Sequence, residues 1–134
     1  MYYEIDTNWL STCNKEIVEN YIRLGHRVTN SYSVPVRKLE SIFDEYINWK
    51  HIDILSIDVE WMEMEVLESN NWNKYKPSYI ILETVVYEGK DSIGTKNDAQ
   101  YTTYLKQYWY TIIADTYINT IYCQTSNTDQ RRKQ

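Results

Sequence analysis

Residues 52–68 read IDILSIDVEWMEMEVLE. Ile52, Ile54, Leu55, Ile57 and Val59 form a nearly continuous apolar run, broken by Asp53, Ser56 and Asp58. Such a run predicts a strand apolar on both faces, the kind that sits inside a sheet covered above and below. Met62 to Glu68 are helix formers. Met62 and Val66 are i, i+4 neighbours, and Met64 and Leu67 are i, i+3. A strand over 52–59 therefore runs almost directly into a helix over 62–68, which Asn70-Asn71 stops.

The same alternation continues on both sides. Pro77 opens a second β-rich run, Tyr79-Ile80-Ile81-Leu82, ending at Glu83-Thr84. Residues 87–97, YEGKDSIGTKN, read as a loop. Asn97 or Asp98 can cap a helix whose apolar stripe is Tyr101, Tyr104, Leu105 and Tyr108, a stripe expected to face the core. Strands over 109–114 and 117–123, turning near Asp115-Thr116, predict an antiparallel hairpin. Upstream, Asn14 offers an N-cap, Ile17, Tyr21 and Leu24 share a face, and Gly25 follows as a C′ residue, giving a helix over 15–24. Residues 1–13 read as irregular. Residues 26–36 read as extended, because Pro35 biases Val34 to β. Leu39, Ile42, Phe43 and Ile47 mark a helix over 38–49. This order predicts an α/β fold, a partial Rossmann-like sheet that is mostly parallel with an antiparallel C-terminal hairpin. Three or four strands are few for such a sheet, so the chain reads as part of a larger domain.

Composition narrows the setting. The 134 residues fit one domain, and 43% apolar with 25% charged residues is a globular balance. Gly25, Gly89 and Gly94 are too scattered for a dinucleotide or phosphate loop. A net charge of −5 argues against a broad grip on nucleic acid, and Arg131-Arg132-Lys133 reads as a solvated tail. Cys13 and Cys123, with only His26 and His51 to join them, do not make a zinc site and read as free thiols. His51 reads as a cap or a solvent-facing residue, and His26 as structural. No leader peptide and no membrane-length apolar window is visible, which leads to the expectation of a cytoplasmic protein without membrane or nucleic-acid partners. Residues 1–124 are expected to fold and the polar 125–134 to be disordered.

Ligands of open α/β sheets bind beyond the carboxyl ends of strands. One such end carries Asp58 and Glu60, the other Glu83. Side by side, the three carboxylates would converge at one rim, able to accept hydroxyl groups, raise one another's pKa for base work, or hold a metal. The competing reading is that acids at a strand-to-helix junction cap free N–H groups and complement the helix dipole, which suits Glu63 and Glu65 better. Trp61 and Tyr87 flank the strand ends, where they either stack on a small molecule or simply pack.

Residues 34–84, VPVRKLESIFDEYINWKHIDILSIDVEWMEMEVLESNNWNKYKPSYIILET, resemble the FkbM family of S-adenosylmethionine-dependent methyltransferases. The resemblance rests on I-D-x-L-x-I-D-V-E-x-x-E-x-x-V-L over 52–67, followed by P-x-x-I-x-x-E over 77–83, and covers almost the whole chain, about 10–124. It implies that strands 52–58 and 79–83 are the fourth and fifth of a methyltransferase sheet. It also implies methyl transfer from S-adenosylmethionine to a hydroxyl of a sugar or secondary metabolite. On that footing Asp58, Glu60 and Glu83 would be catalytic, and Trp61, Tyr87 and Glu63 would bind substrate. The family's D-x-G-A-x-x-G cofactor loop is absent from these residues, Trp61 stands in place of a family glycine, and Ser56 in place of a lysine. The chain is thus expected to be the C-terminal half of the domain, needing a complementary N-terminal half for activity. The alternative is a non-catalytic remnant or small binding module that self-associates through its sheet edge. An all-carboxylate metal site is a third possibility without His or Cys support.

Overall fold

The computed structural model describes residues 1–86 and 94–125. The elements are β1 (Tyr2–Ile5), α1 (Lys15–Arg23), β2 (Val28–Tyr32), α2 (Leu39–Tyr46), β3 (Ile54–Ile57), α3 (Glu63–Glu68), β4 (Tyr79–Glu83), β5 (Val85–Val86), β6 (Thr95–Lys96), α4 (Ala99–Lys106), β7 (Tyr110–Asp115) and β8 (Asn119–Gln124). A single 3-10 turn, Asn8–Leu10, lies between β1 and α1.

The central sheet has the order β3-β4-β8-β7. β3 and β4 are parallel, pairing Ile54 with Tyr79 through Ile57 with Leu82. β8 runs antiparallel to β4 and to β7. β1–β2 and β5–β6 are separate antiparallel pairs. Among the described residues β3–β4 is thus the one parallel pairing, and the sheets are mostly antiparallel. This overturns the mostly parallel, Rossmann-like sheet expected from the alternation of strand and helix. The alternation does give a parallel crossover for β3–α3–β4. However, the β7–β8 hairpin docks on β4 in the opposite sense, and β1 and β2 pair with each other instead of extending the sheet.

The reading of β3 as a strand covered on both faces is corrected too. β3 is an edge strand, with Ile54 59% exposed and Ser56 exposed. Its neighbours explain which face is filled. Ile57, Ile80, Leu82, Tyr110 and Tyr122 point into one core with Leu67 and Trp72, and with Tyr101 and Leu105 of α4. Residues one register step away, Ile54, Tyr79, Ile81 and Ile121, lie on the opposite, less covered face. Tyr104 and Tyr108 pack against the core, as the stripe on α4 predicts.

A second, small core of Ile5, Val18 and Tyr21 joins β1 to α1. The residues read as irregular at 1–13 supply β1, because Tyr2–Ile5 finds its partner 26 or so residues on, in β2. α1 starts where Asn14 accepts bonds from the Glu16 and Ile17 N–H groups, and Gly25 follows it at φ +92°. His26 is buried, its ring nitrogen 3.1 Å from Asp6, and His51 is exposed beside Ser78 and Asp53. Both cysteines are free thiols. The last residues of the 87–97 loop form β6, while 87–93 and the tail 126–134 lie outside the described residues. No helix among the described residues is long and apolar enough to cross a membrane.

Candidate functional site

Parallel pairing places the ends of β3 and β4 level. Ile57 sits opposite Leu82, both facing the core, so the next residues, Asp58 and Glu83, turn to the other side of the sheet. The chain then bends sharply. Glu60 and Trp61 both have positive φ, +51° and +76°, a left-handed conformation that costs a non-glycine residue roughly 1–2 kcal/mol. The bend is held by Thr12, whose hydroxyl donates to the Glu60 carbonyl at 2.8 Å. On its inner side Glu63 Oε1 accepts from the Val59 N–H at 3.1 Å, and Tyr101 donates to Glu63 Oε2 at 3.4 Å. Glu63 is 4% exposed, so both its oxygens are engaged in holding the bend.

The bend brings Glu60 back over the strand ends. One carboxylate oxygen each from Asp58, Glu60 and Glu83 lies within 4.8 Å of the other two. Asp58 is exposed, and Glu60 and Glu83 are half-buried. Burial first, then the charges of Asp58 and Glu63, push the Glu60 carboxyl from its ordinary 4.5 up to about 7. Glu83 is pushed up to about 8 by burial, then by the charge of Asp58 and the hydrogen bond they share, then by Glu60 and Glu63. At neutral pH Glu83 therefore carries a proton and Glu60 titrates. As an oxygen-only set the trio suits a hard cation only when fully deprotonated.

Between this rim and α4 lies a narrow crevice lined by Glu60, Trp61, Glu63, Glu83, Thr84, Val85, Val86, Asn97 and Tyr101. Its enclosed room is about 20 Å³, enough for one water-sized group. Trp61 forms one wall and is fixed there, its indole N–H donating to the Tyr21 hydroxyl of α1 at 3.0 Å. A larger trough between α3 and α4, lined by Met64, Glu68, Gln100, Thr103 and Tyr104, is open to solvent and lies away from the acids.

Of the residues singled out in the sequence, the structure brings Asp58, Glu60, Glu83, Trp61 and Glu63 together, and Tyr87 lies outside the described residues. Sequence reading missed Thr84, Val85, Val86 and Asn97 as lining, and Tyr21 as the anchor of Trp61. The Tyr21–Trp61 bond spans 40 residues and leaves no local signal. A sulfonium-bearing nucleoside needs a pocket of about 300 Å³ or more. The crevice is an order of magnitude smaller, so it does not fit S-adenosylmethionine.

The two half-buried acids make stability depend on pH. In the folded chain both bind protons up to about pH 7 and 8, whereas unfolded they release them near 4.5. Raising pH through that window therefore favours the unfolded chain. After discounting for solvent screening, a loss of about 1–3 kcal/mol is expected between pH 5 and pH 8.5. Urea melts of the wild type across that range, beside Glu60→Gln/Glu83→Gln, check this: the double variant should show the flatter profile.

Residues 6–112 match the family model of the methyltransferase FkbM domain. Neither the curated proteins nor the solved structures contain a match to this chain.

Proposed function

This chain belongs to the FkbM methyltransferase family, and from that premise we propose that it supplies the acceptor side of a hydroxyl-directed methyl transfer. The acceptor is a small sugar or secondary metabolite. The observation that carries this reading is the acid-rimmed crevice, with room for one oxygen atom beside a carboxyl titrating at about 7. A base with a pKa near the working pH best balances being unprotonated against driving proton transfer.

In this reading the acceptor hydroxyl enters the crevice and donates to the Glu60 carboxylate. Glu60 takes the proton as the hydroxyl oxygen becomes nucleophilic. Glu83, holding its own proton, donates to Asp58 and keeps the rim at one fewer negative charge. Glu63 and Tyr101 hold the bend that aims Glu60. The outer face of Trp61, and Tyr87 on sequence grounds, flank the entering molecule. The crevice does not fit S-adenosylmethionine and the D-x-G-A-x-x-G motif is absent from these residues, so in this reading the methyl donor is held by a half that carries that loop, on a longer parent or a partner chain.

The test is radiolabelled methyl transfer from S-adenosylmethionine to a panel of sugars and hydroxylated metabolites. The chain is assayed alone and mixed with the donor-loop half of another FkbM-family protein. Calorimetry of the chain alone should show no saturable heat with S-adenosylmethionine, and transfer should appear only in the mixture. A mixture of well-folded halves that transfers nothing would leave the non-catalytic binding module as the better description.

A further inference from the structure

We infer that Trp61 is a size filter that restricts the acceptor to a hydroxyl on an unbranched carbon, a primary alcohol. The inference rests on the acceptor-side reading above and names its substrate class. The crevice admits about one water-sized group. A hydroxyl on a CH2 arm can place its oxygen there while the arm stays at the mouth. A ring or branched carbinol carbon carries two carbon substituents where the CH2 arm carries one, and brings both to an opening lined by Trp61, Val85 and Val86.

That wall cannot readily give way. The Trp61 backbone sits at φ +76° in a bend fastened by the Thr12 hydroxyl to the Glu60 carbonyl. The indole N–H is bonded to Tyr21, itself 4% exposed in the small core with Ile5 and Val18. Moving the indole therefore means breaking a bond to a side chain packed in another core. Apolar walls that fit one alcohol and crowd another by a single carbon typically discriminate by about 10–200-fold.

The isolated chain suffices for the test, with two isomeric alcohols as probes. ¹⁵N-labelled protein is titrated with 1-butanol and with 2-butanol, following the Glu60 and Thr84 amides and the Trp61 indole N–H by NMR. Wild type should respond saturably to 1-butanol and need at least about tenfold more 2-butanol for the same shift. Trp61→Gly, read at the two amides, should bring the isomers close to parity. Tyr21→Phe keeps the ring in its core and removes only the hydroxyl, so it should lower the discrimination even if Trp61→Gly fails to fold. Equal response of the wild type to both isomers overturns the size filter and leaves the acceptor reading standing. Discrimination that survives both variants overturns the assignment to Trp61. No response to either alcohol means that no hydroxyl enters, and both readings fall.

Discussion

Glu60→Gln is expected to lower methyl transfer in the reconstituted mixture by about 10²–10⁴-fold, the usual contribution of a positioned general base. The amide keeps the size of the side chain and can still accept a hydrogen bond from the acceptor, so the acceptor KM should move far less than kcat. The variant should also lose the rise in rate expected of wild type as pH passes about 7, where Glu60 gives up its proton. Glu83→Gln makes the informative contrast. Glu83 is pushed up to about 8 and is already protonated at neutral pH, so glutamine imitates its working state. Transfer by that variant should stay close to wild type. Equal losses in the two variants would mean that the rim works by total charge and that Glu60 is no base.

Trp72→Ala should have the largest effect on stability. Trp72 is 3% exposed at the centre of the main core. Its ring stacks on Tyr108 at 5.3 Å and meets Tyr104 and Tyr110 edge-on at 6.5 and 5.7 Å. Its indole N–H donates to the Leu67 carbonyl at 2.9 Å, tying the end of α3 to the segment that leads to β4. Truncation of a buried tryptophan to alanine typically costs about 3–5 kcal/mol, a large share of the roughly 5–15 kcal/mol that a domain has. Thermal melts should show a fall of about 10–20 °C. Trp72→Phe retains most of the ring contacts and should lose well under half as much.

The helices and the central strands were legible because each is set by its own periodicity. Asn14 and Gly25 bracket α1, the Met62–Val66 and Met64–Leu67 spacings mark α3, and the β-rich run Tyr79–Leu82 after Pro77 marks β4. The hairpin was legible from the short turn after Asp115. What stayed hidden is pairing between distant segments. Nothing in Tyr2–Ile5 says that its partner is Val28–Tyr32, and nothing in β4 says that its second neighbour is the antiparallel β8. The apolar run over 52–59 has the composition of a strand covered on both faces, yet β3 lies at an edge with Ile54 exposed, so composition misjudged its surroundings. At the site, Asp58, Glu60 and Glu83 were readable as a cluster because two parallel strands starting in register must end together. The crevice width was not readable. It depends on the left-handed bend at Glu60-Trp61 and on the bond to Tyr21, neither of which has a sequence signature.

The small N-terminal core has a consequence for how the molecule melts. Ile5, Val18 and Tyr21 bury too little to keep a two-stranded hairpin and a single helix folded by themselves. Among the described residues, two side-chain hydrogen bonds fasten them to the strand-to-helix bend, Thr12 to the Glu60 carbonyl and the Trp61 indole to Tyr21. Both end on the same two-residue bend. The first 32 residues and the acid rim therefore form one cooperative unit. Amide hydrogens of β1 and α1 should exchange with solvent at a rate set by the distant bend at Glu60-Trp61, and fraying of the N-terminus would loosen the rim at the same moment.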